Sequence, residues 1–254
     1  MEVLQHEQGS HTKTLAQVLD ALKADACVPE KYWVDLVHAL ARGDQLALNA
    51  LYLRTSRLVF TWVLRITANR KSAEEETLEV YLDLWHGASS YDPSDGSVLA
   101  WIMNHARARA MNRLASPAPA SRSPGEVSFT SLWRRLARRV AAEAGRAVVV
   151  SPYEGPETVW EEVAPGLSCA LLAKDDSRGT VSMLVRMAPG VEYPPHTHAG
   201  VEELYMFEGD LTVDDKHLVA GDYLRSEPGS SDHRVRTATG CSGVLITSSR
   251  DLLL

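Results

Sequence analysis

The chain has 254 residues, 45% of them apolar and 23% charged, with 16 Gly, 12 Pro and 3 Cys. These proportions exclude a disordered polymer, a collagen and a disulfide scaffold, and the length suits one large domain or two small ones. Charge is unevenly shared: residues 1–147 hold 18 Lys and Arg against 16 Asp and Glu, whereas residues 148–254 hold 8 against 17, so the net −7 divides into +2 and −9.

The opening MEVLQHEQGSHTKT lacks a basic and apolar signal pattern, and no run of 18 apolar residues could span a bilayer. Cys27, Cys169 and Cys241 are far apart and form no CxxC. A cytoplasmic protein without membrane contact, in a reducing compartment, is expected.

Across residues 34–114 apolar residues recur every three or four positions, as in Leu51, Val59, Val63 and Ile66, which is the period of helices. Turns are expected at residues 68–72 and 88–96. Next comes SPAPASRSPG at residues 116–125, whose prolines and small polar residues predict an extended connector. Residues 129–144 then predict one amphipathic helix, with Thr130 or Ser131 as N-cap and Trp133, Leu136 and Val140 on one face. From residue 147 the runs VVV, SCALLA, VSMLVRM, ELYMF, LTV, YLR and GVLIT alternate with Gly, Pro and Asp, the pattern of a β-sandwich or barrel. No internal repeat stands out.

Residues 104–146 gather nine arginines against Glu126 and Glu143. Such a stretch suits an anionic partner, nucleic acid first, and equally a solvated helix face. In SVLAWIMNHARARAMNRL, Asn104, Arg107, Arg109, Asn112 and Arg113 offer groups that bind phosphates and base edges. Upstream, WHGASSYDPSDG places Tyr91 where it could stack on an unpaired base. Trp85 and Trp101, at helical spacing, read first as core residues.

Residues 39–114, through ALARGDQLALNALYLRTSRLVFTWVLRIT, AEEETLEVYLDLW and YDPSDGSVLAWIMNHARARAMNRL, resemble region 2 of the extracytoplasmic-function sigma factors. That resemblance implies a helical domain whose partners are the RNA polymerase core and the melted −10 element of promoter DNA. The helix at residues 73–85, with Glu75, Leu78, Glu79 and Asp83, would face the polymerase; Tyr91 would hold a flipped base; Trp101 to Arg113 would follow the non-template strand. Two departures stand out. Leu78 occupies a position where the family commonly has Gln, and the ArNraxD pattern is altered at residues 106–112. No helix-turn-helix resembling the −35 reader follows the linker.

The sharpest motif is Gly190-VEYPP-His196-Thr-His198-AGV-Glu202-ELYMFE-Gly209. Residues two apart in a strand share a face, so His196 and His198 can aim into one barrel interior, and Glu202 can return on the next strand. Two nitrogens and a carboxylate start a metal site for zinc, with iron, manganese or nickel as other users of such a set. This pattern resembles the first cupin motif, and Gly221-DYLRSEPGSSDH resembles the second, whose His is the family's fourth ligand. His233 fits when counted back from Gly240, while one extra residue after Gly229 makes Asp232 eligible as well; His233 is preferred because imidazole is the commonest ligand. Glu203 is the competitor to Glu202. His217 reads as an exposed hairpin residue, and His6, His11, His38, His86 and His105 show no ligand grouping.

Residues 147–250 most resemble the zinc-binding cupin domain of anti-sigma factors that answer oxidative signals such as singlet oxygen. The expected architecture is therefore two-domain. An all-α, sigma-70 region 2-like bundle occupies residues 1–115 and a Pro/Ser linker with a basic helix residues 116–146. An all-β cupin, a double-stranded β-helix or jelly-roll barrel, occupies residues 147–254. The resemblances imply a bacterial sigma-like regulator of transcription initiation whose acidic cupin contacts the helices and controls them, with a cupin-mediated homodimer as a further assembly. Two other readings compete: a cupin dioxygenase or isomerase with Glu203, Tyr205 or Glu208 as acid or base, and an anti-sigma-like sequestering protein.

Overall fold

The computed structural model describes residues 27–115, 128–144 and 159–253. The expected linker, the valine run at 148–150, and His6 and His11 lie outside the described residues. Within them, five α-helices precede a curled sheet: α1 (Glu30–Ala41), α2 (Gln45–Thr67), α3 (Arg70–Gly87), α4 (Val98–Ala115) and α5 (Phe129–Ala144). No helix among the described residues is long and apolar enough to cross a membrane.

Caps account for the helix boundaries. The Asp44 carboxylate accepts the Leu46 N–H at 2.8 Å and starts α2; Asn69 accepts the Ser72 N–H at 3.0 Å and starts α3. The break expected at residues 68–72 is therefore shorter, a left-handed Ala68 followed by the Asn69 cap. Residues 88–96 contain two short 3₁₀ turns, Ala88–Ser90 and Pro93–Asp95. α4 begins behind Ser97, whose hydroxyl accepts the Ala100 N–H, while Glu30 reaches across from α1 to accept the Val98 N–H at 2.6 Å. Its burial there pushes the Glu30 carboxyl up. α5 is capped by Ser128, whose hydroxyl accepts the Ser131 N–H at 3.2 Å, and not by Thr130 or Ser131.

The amphipathic face of α5 is buried. Leu132, Trp133, Leu136 and Val140 pack on α2 and α3, with the Trp133 ring 5.3 Å from that of Tyr52. Tyr52 also donates its hydroxyl to the Phe129 carbonyl at 2.8 Å. Arg134, Arg135 and Arg138 stay on the exposed face.

The strands are β1 (Val28–Pro29), β2 (Glu161–Ala164), β3 (Leu167–Asp175), β4 (Thr180–Met187), β5 (Glu192–Tyr193), β6 (His196–Thr197), β7 (Glu202–Val213), β8 (Lys216–Val219), β9 (Tyr223–Ser226), β10 (Ser231–Asp232), β11 (Val235–Arg236), β12 (Cys241–Ser248) and β13 (Leu252–Leu253). The main sheet runs β1-β3-β4-β12-β7-β11-β5, with β2 on β3 and β8 and β9 on β7; β10-β6-β13 form a small second sheet. The sheet curls into a half-barrel of cupin type. The two runs ELYMF and LTV belong to one strand, β7, which turns at Gly209 with φ 77°. A Cβ there would lie 1.7 Å from the Gly240 carbonyl oxygen, so only glycine lets β7 and β12 approach.

The helices and the sheet share one hydrophobic core. β1, just ahead of α1, pairs in parallel with β3, Val28 opposite Ala173. Trp62 of α2, fully buried, meets Tyr205 of β7 edge-on at 5.2 Å between ring centroids. Phe207, Val244 and Ile246 belong to the same cluster. Truncating a buried Trp costs about 3–5 kcal/mol, so Trp62→Ala is expected to lower the unfolding free energy by that amount in a urea titration. A loss below about 1 kcal/mol would mean that this contact is peripheral.

Candidate functional site

His196, His198, Glu202 and Asp232 converge, each offering a donor atom within 4.8 Å of the others. β6 supplies His196, the turn after it His198, and the first residue of β7 Glu202. The fourth member corrects the sequence expectation. β10 runs antiparallel to β6 with Asp232 directly opposite His196, so the two side chains share a face. His233, one residue on, points away, with its side chain 74% exposed beside Asp214, which also accepts its N–H at 3.0 Å. Glu203 is no competitor for Glu202, because consecutive strand residues face opposite sides. His217 is exposed, as expected.

Both imidazoles are oriented from behind. His196 Nδ1 lies 3.1 Å from the Pro194 carbonyl, which only accepts, so Nδ1 carries the proton. His198 Nδ1 lies 3.0 Å from the Ser230 hydroxyl, whose own hydrogen goes to the Glu227 carbonyl at 2.7 Å. The network therefore places the proton on Nδ1 of both rings, so that Nε2 is the nitrogen either neutral imidazole would offer to a metal. His198 Nε2 is buried with no hydrogen-bond partner, 3.5 Å from Glu202 Oε1 and 3.7 Å from Asp232 Oδ2. Donors held 2.0–2.2 Å from a tetrahedral ion stand about 3.4 Å apart. The residues present thus fit a divalent metal. Without one, Glu202 beside it holds the His198 imidazole above its ordinary range, and burial pushes the Asp232 carboxyl up.

Asp251 completes the setting, a residue the sequence did not single out. It is buried and accepts the Ala199 N–H and the Thr247 hydroxyl, both at 2.7 Å, pinning the turn between His198 and Glu202. Cys169 and Cys241 are buried, and burial pushes their thiols up to about 12 and about 11. Burial thus favours the neutral thiol at both positions. The residues named as acid or base for an enzyme lie elsewhere: Glu203 and Tyr205 face the helices, and Glu208 is exposed and paired with Arg65 at 2.6 Å.

On the helical side, the expected nucleic-acid residues fall on two faces of α4. Asn104, Arg107 and Asn112 are exposed. Arg109 and Arg113 turn the other way. Arg109 binds both Asp83 oxygens, at 2.5 and 2.6 Å, and Arg113 binds Glu75 at 2.8 Å. Arg139 of α5 holds Glu79 at 2.5 Å. The acids expected to meet polymerase are therefore an internal ladder between α3, α4 and α5. With side chains near one-third exposed, each such pair contributes at most about 1 kcal/mol, so an external partner could displace them. Leu78 is 3% exposed and belongs to the helical core.

Tyr91 and Trp101 stand side by side, ring centroids 5.1 Å apart, both half-buried, and the Tyr91 hydroxyl donates to the Gly96 carbonyl. They border a cavity of about 430 Å³ that also meets Asn104 and His105. α4 touches the half-barrel through Asn104 and Arg107. Asn104 Nδ2 donates to Glu203 at 3.4 Å and its Oδ1 accepts from Tyr205 at 3.2 Å; the Arg107 guanidinium lies 4.6 Å from the centroid of the Tyr223 ring.

Comparison with known proteins finds one family match in each half of the chain. Residues 51–118 match the sigma-70 region 2 model, and residues 133–249 match the ChrR cupin-like domain. The chain resembles a region 2 joined to a ChrR-like cupin. The chain is 39% identical over 97 residues to the ECF RNA polymerase sigma factor SigK of Mycobacterium sp. (strain KMS), covering 38% of this chain and 50% of that one. It is 37% identical over 79 residues to SigK of Mycobacterium tuberculosis (strain ATCC 25177 / H37Ra), covering 31% and 42%. The chain thus spans about half the length of the curated relatives it matches. For the ChrR-like cupin, solved structures include a cupin-like protein from Ralstonia eutropha, at 24% identity, 35% and 59% coverage and a TM-score of 0.33. Another is an RmlC-like cupin from Shewanella frigidimarina, at 26% identity, 37% and 85% coverage and a TM-score of 0.32.

Proposed function

We propose that this chain is a sigma-factor-like transcription regulator that binds RNA polymerase core and the non-template strand of melted promoter DNA, under control of a zinc-binding cupin. One observation supports the control more than any other: Glu202 and Glu203 are consecutive in β7. Glu202 belongs to the metal cluster, and Glu203 grips Asn104 on the helix that the region 2 resemblance assigns to DNA. A change at the metal side of β7 is thereby one residue from the DNA side.

The nucleic-acid reading uses the exposed face of α4 with the Tyr91–Trp101 notch, and the exposed arginines of α5 as phosphate partners. Arg109 and Arg113 hold the helices together instead. On the metal side, His196, His198, Glu202 and Asp232 hold the ion; two nitrogens and two carboxylate oxygens suit tetrahedral zinc. When bound, the ion supplies a cross-link between β6, β7 and β10.

The test is reconstitution of the full chain with bacterial RNA polymerase core and a fluorescent single-stranded promoter oligonucleotide. The expected result is co-elution with core, and oligonucleotide affinity that falls steeply as salt rises, because phosphate contacts release counterions. Arg107→Ala is expected to weaken the DNA arm, and Arg109→Ala to act on stability. Core binding with no effect on DNA would favour a sequestering protein; failure to bind either would overturn the proposal.

A further inference from the structure

The cupin half-barrel is hollow. A cavity of about 420 Å³ lies between its strands, with walls that include Met183, Met187, Leu204, Met206, Leu224 and Leu245. Protein interiors are otherwise packed to crystal-like density, and 300–1,000 Å³ of largely apolar space with a few convergent polar groups is the signature of a small-molecule site. His196, Glu202 and Asp232 of the metal cluster are among its lining residues. The cavity therefore meets three residues of the cluster, with Glu192, Tyr193 and Asp251 also on its wall and aliphatic and thioether groups over most of the rest.

The ligand set also bears on the charge of what could enter. Two neutral imidazoles and two carboxylates cancel the charge of a divalent ion, where Asp232 stands in place of an imidazole. An anionic head group brought beside them would be a buried charge without a counter-charge. A neutral oxygen donor carries no such cost.

We propose that this cavity binds a small apolar molecule bearing one neutral oxygen-donor head, a medium-chain ketone or alcohol, with the head toward the His–Glu–Asp cluster and the chain among the methionines and leucines. The head-group part rests on the metal reading above; the apolar part rests on the cavity alone. The cupin would then answer a ligand of this class.

The sequence supplies its own reporters. Of six methionines, Met183, Met187 and Met206 line the cavity, whereas Met103 lies in the helical core, Met111 is exposed, and Met1 is outside the described residues. The experiment uses the full chain, zinc-loaded and assayed for metal, with ¹³C-labelled methionine methyl groups, titrated with 2-octanone and in parallel with octanoate. The expected result is saturable shifts of the three cavity methyls and not of Met103 or Met111, with octanoate binding at least about tenfold more weakly. Stoichiometric zinc with no shift of the cavity methyls would overturn the ligand proposal while leaving the metal reading intact. Octanoate binding as tightly as 2-octanone would overturn the neutral head. Cavity-methyl shifts in protein that takes up no zinc would support the apolar site and sink the metal reading.

Discussion

His198→Ala and Asp232→Ala are each expected to abolish stoichiometric metal binding, and His233→Ala to leave it intact. His198 Nε2 is the most committed donor of the cluster: its side chain has no exposure, its Nδ1 is held by Ser230, and nothing else satisfies it. Loss of even an outer-shell partner costs roughly 10–100-fold in metal affinity, so loss of a ligand should exceed about 100-fold. Ser230→Ala is the corresponding intermediate case. Asp232 and His233 make a sharp pair because they are adjacent and chemically plausible alike, yet the register opposite His196 admits only the first. Metal analysis of the purified variants decides it. Retention of metal in Asp232→Ala together with loss in His233→Ala would show that β10 is shifted by one residue.

Glu203→Ala is expected to raise single-stranded DNA affinity by about 5–10-fold without changing metal content, the size of an ordinary coupling between two sites. The Glu203 carboxylate accepts the Tyr223 hydroxyl at 2.7 Å and the Asn104 amide at 3.4 Å, and Arg225 lies 3.8 Å away. Its removal releases Asn104 and takes a negative charge from the border of the DNA face. Glu203→Gln, which keeps a hydrogen-bonding oxygen and drops the charge, separates the two contributions. Tyr223→Ala, which frees the Arg107 guanidinium, should act in the same direction. Fluorescence anisotropy with a labelled oligonucleotide at fixed salt measures all three. Unchanged affinity in every variant would show that the cupin border does not restrain α4.

What the sequence revealed of this arrangement follows from the range of each interaction. His196, His198 and Glu202 were legible because their relation is local: two imidazoles one residue apart and a short return into β7. Asp232 was not, since its place depends on pairing with β6 across more than thirty residues, and the extra residue after Gly229 left two registers open. Arg109 and Arg113 read as DNA ligands by composition. Their partners Asp83 and Glu75 are on another helix, and only the packing of α3 on α4 shows that these arginines face inward. Leu78 was misplaced for the same reason. The unequal charge of the halves hinted at contact between them. The contact itself joins an apolar cluster, Trp62 against Tyr205, to polar links that include Arg65 with Glu208 and Asn104 with the buried Glu203.

The most direct measurement compares the affinity of the intact chain for a single-stranded promoter oligonucleotide with zinc bound and after chelation, at one ionic strength and with folding verified in both states. If the metal cluster and the Asn104 contact are coupled through Glu202 and Glu203, the two affinities should differ by at least about fivefold, and Glu203→Ala should remove most of that difference. Equal affinities in the wild-type protein with and without zinc would contradict the account.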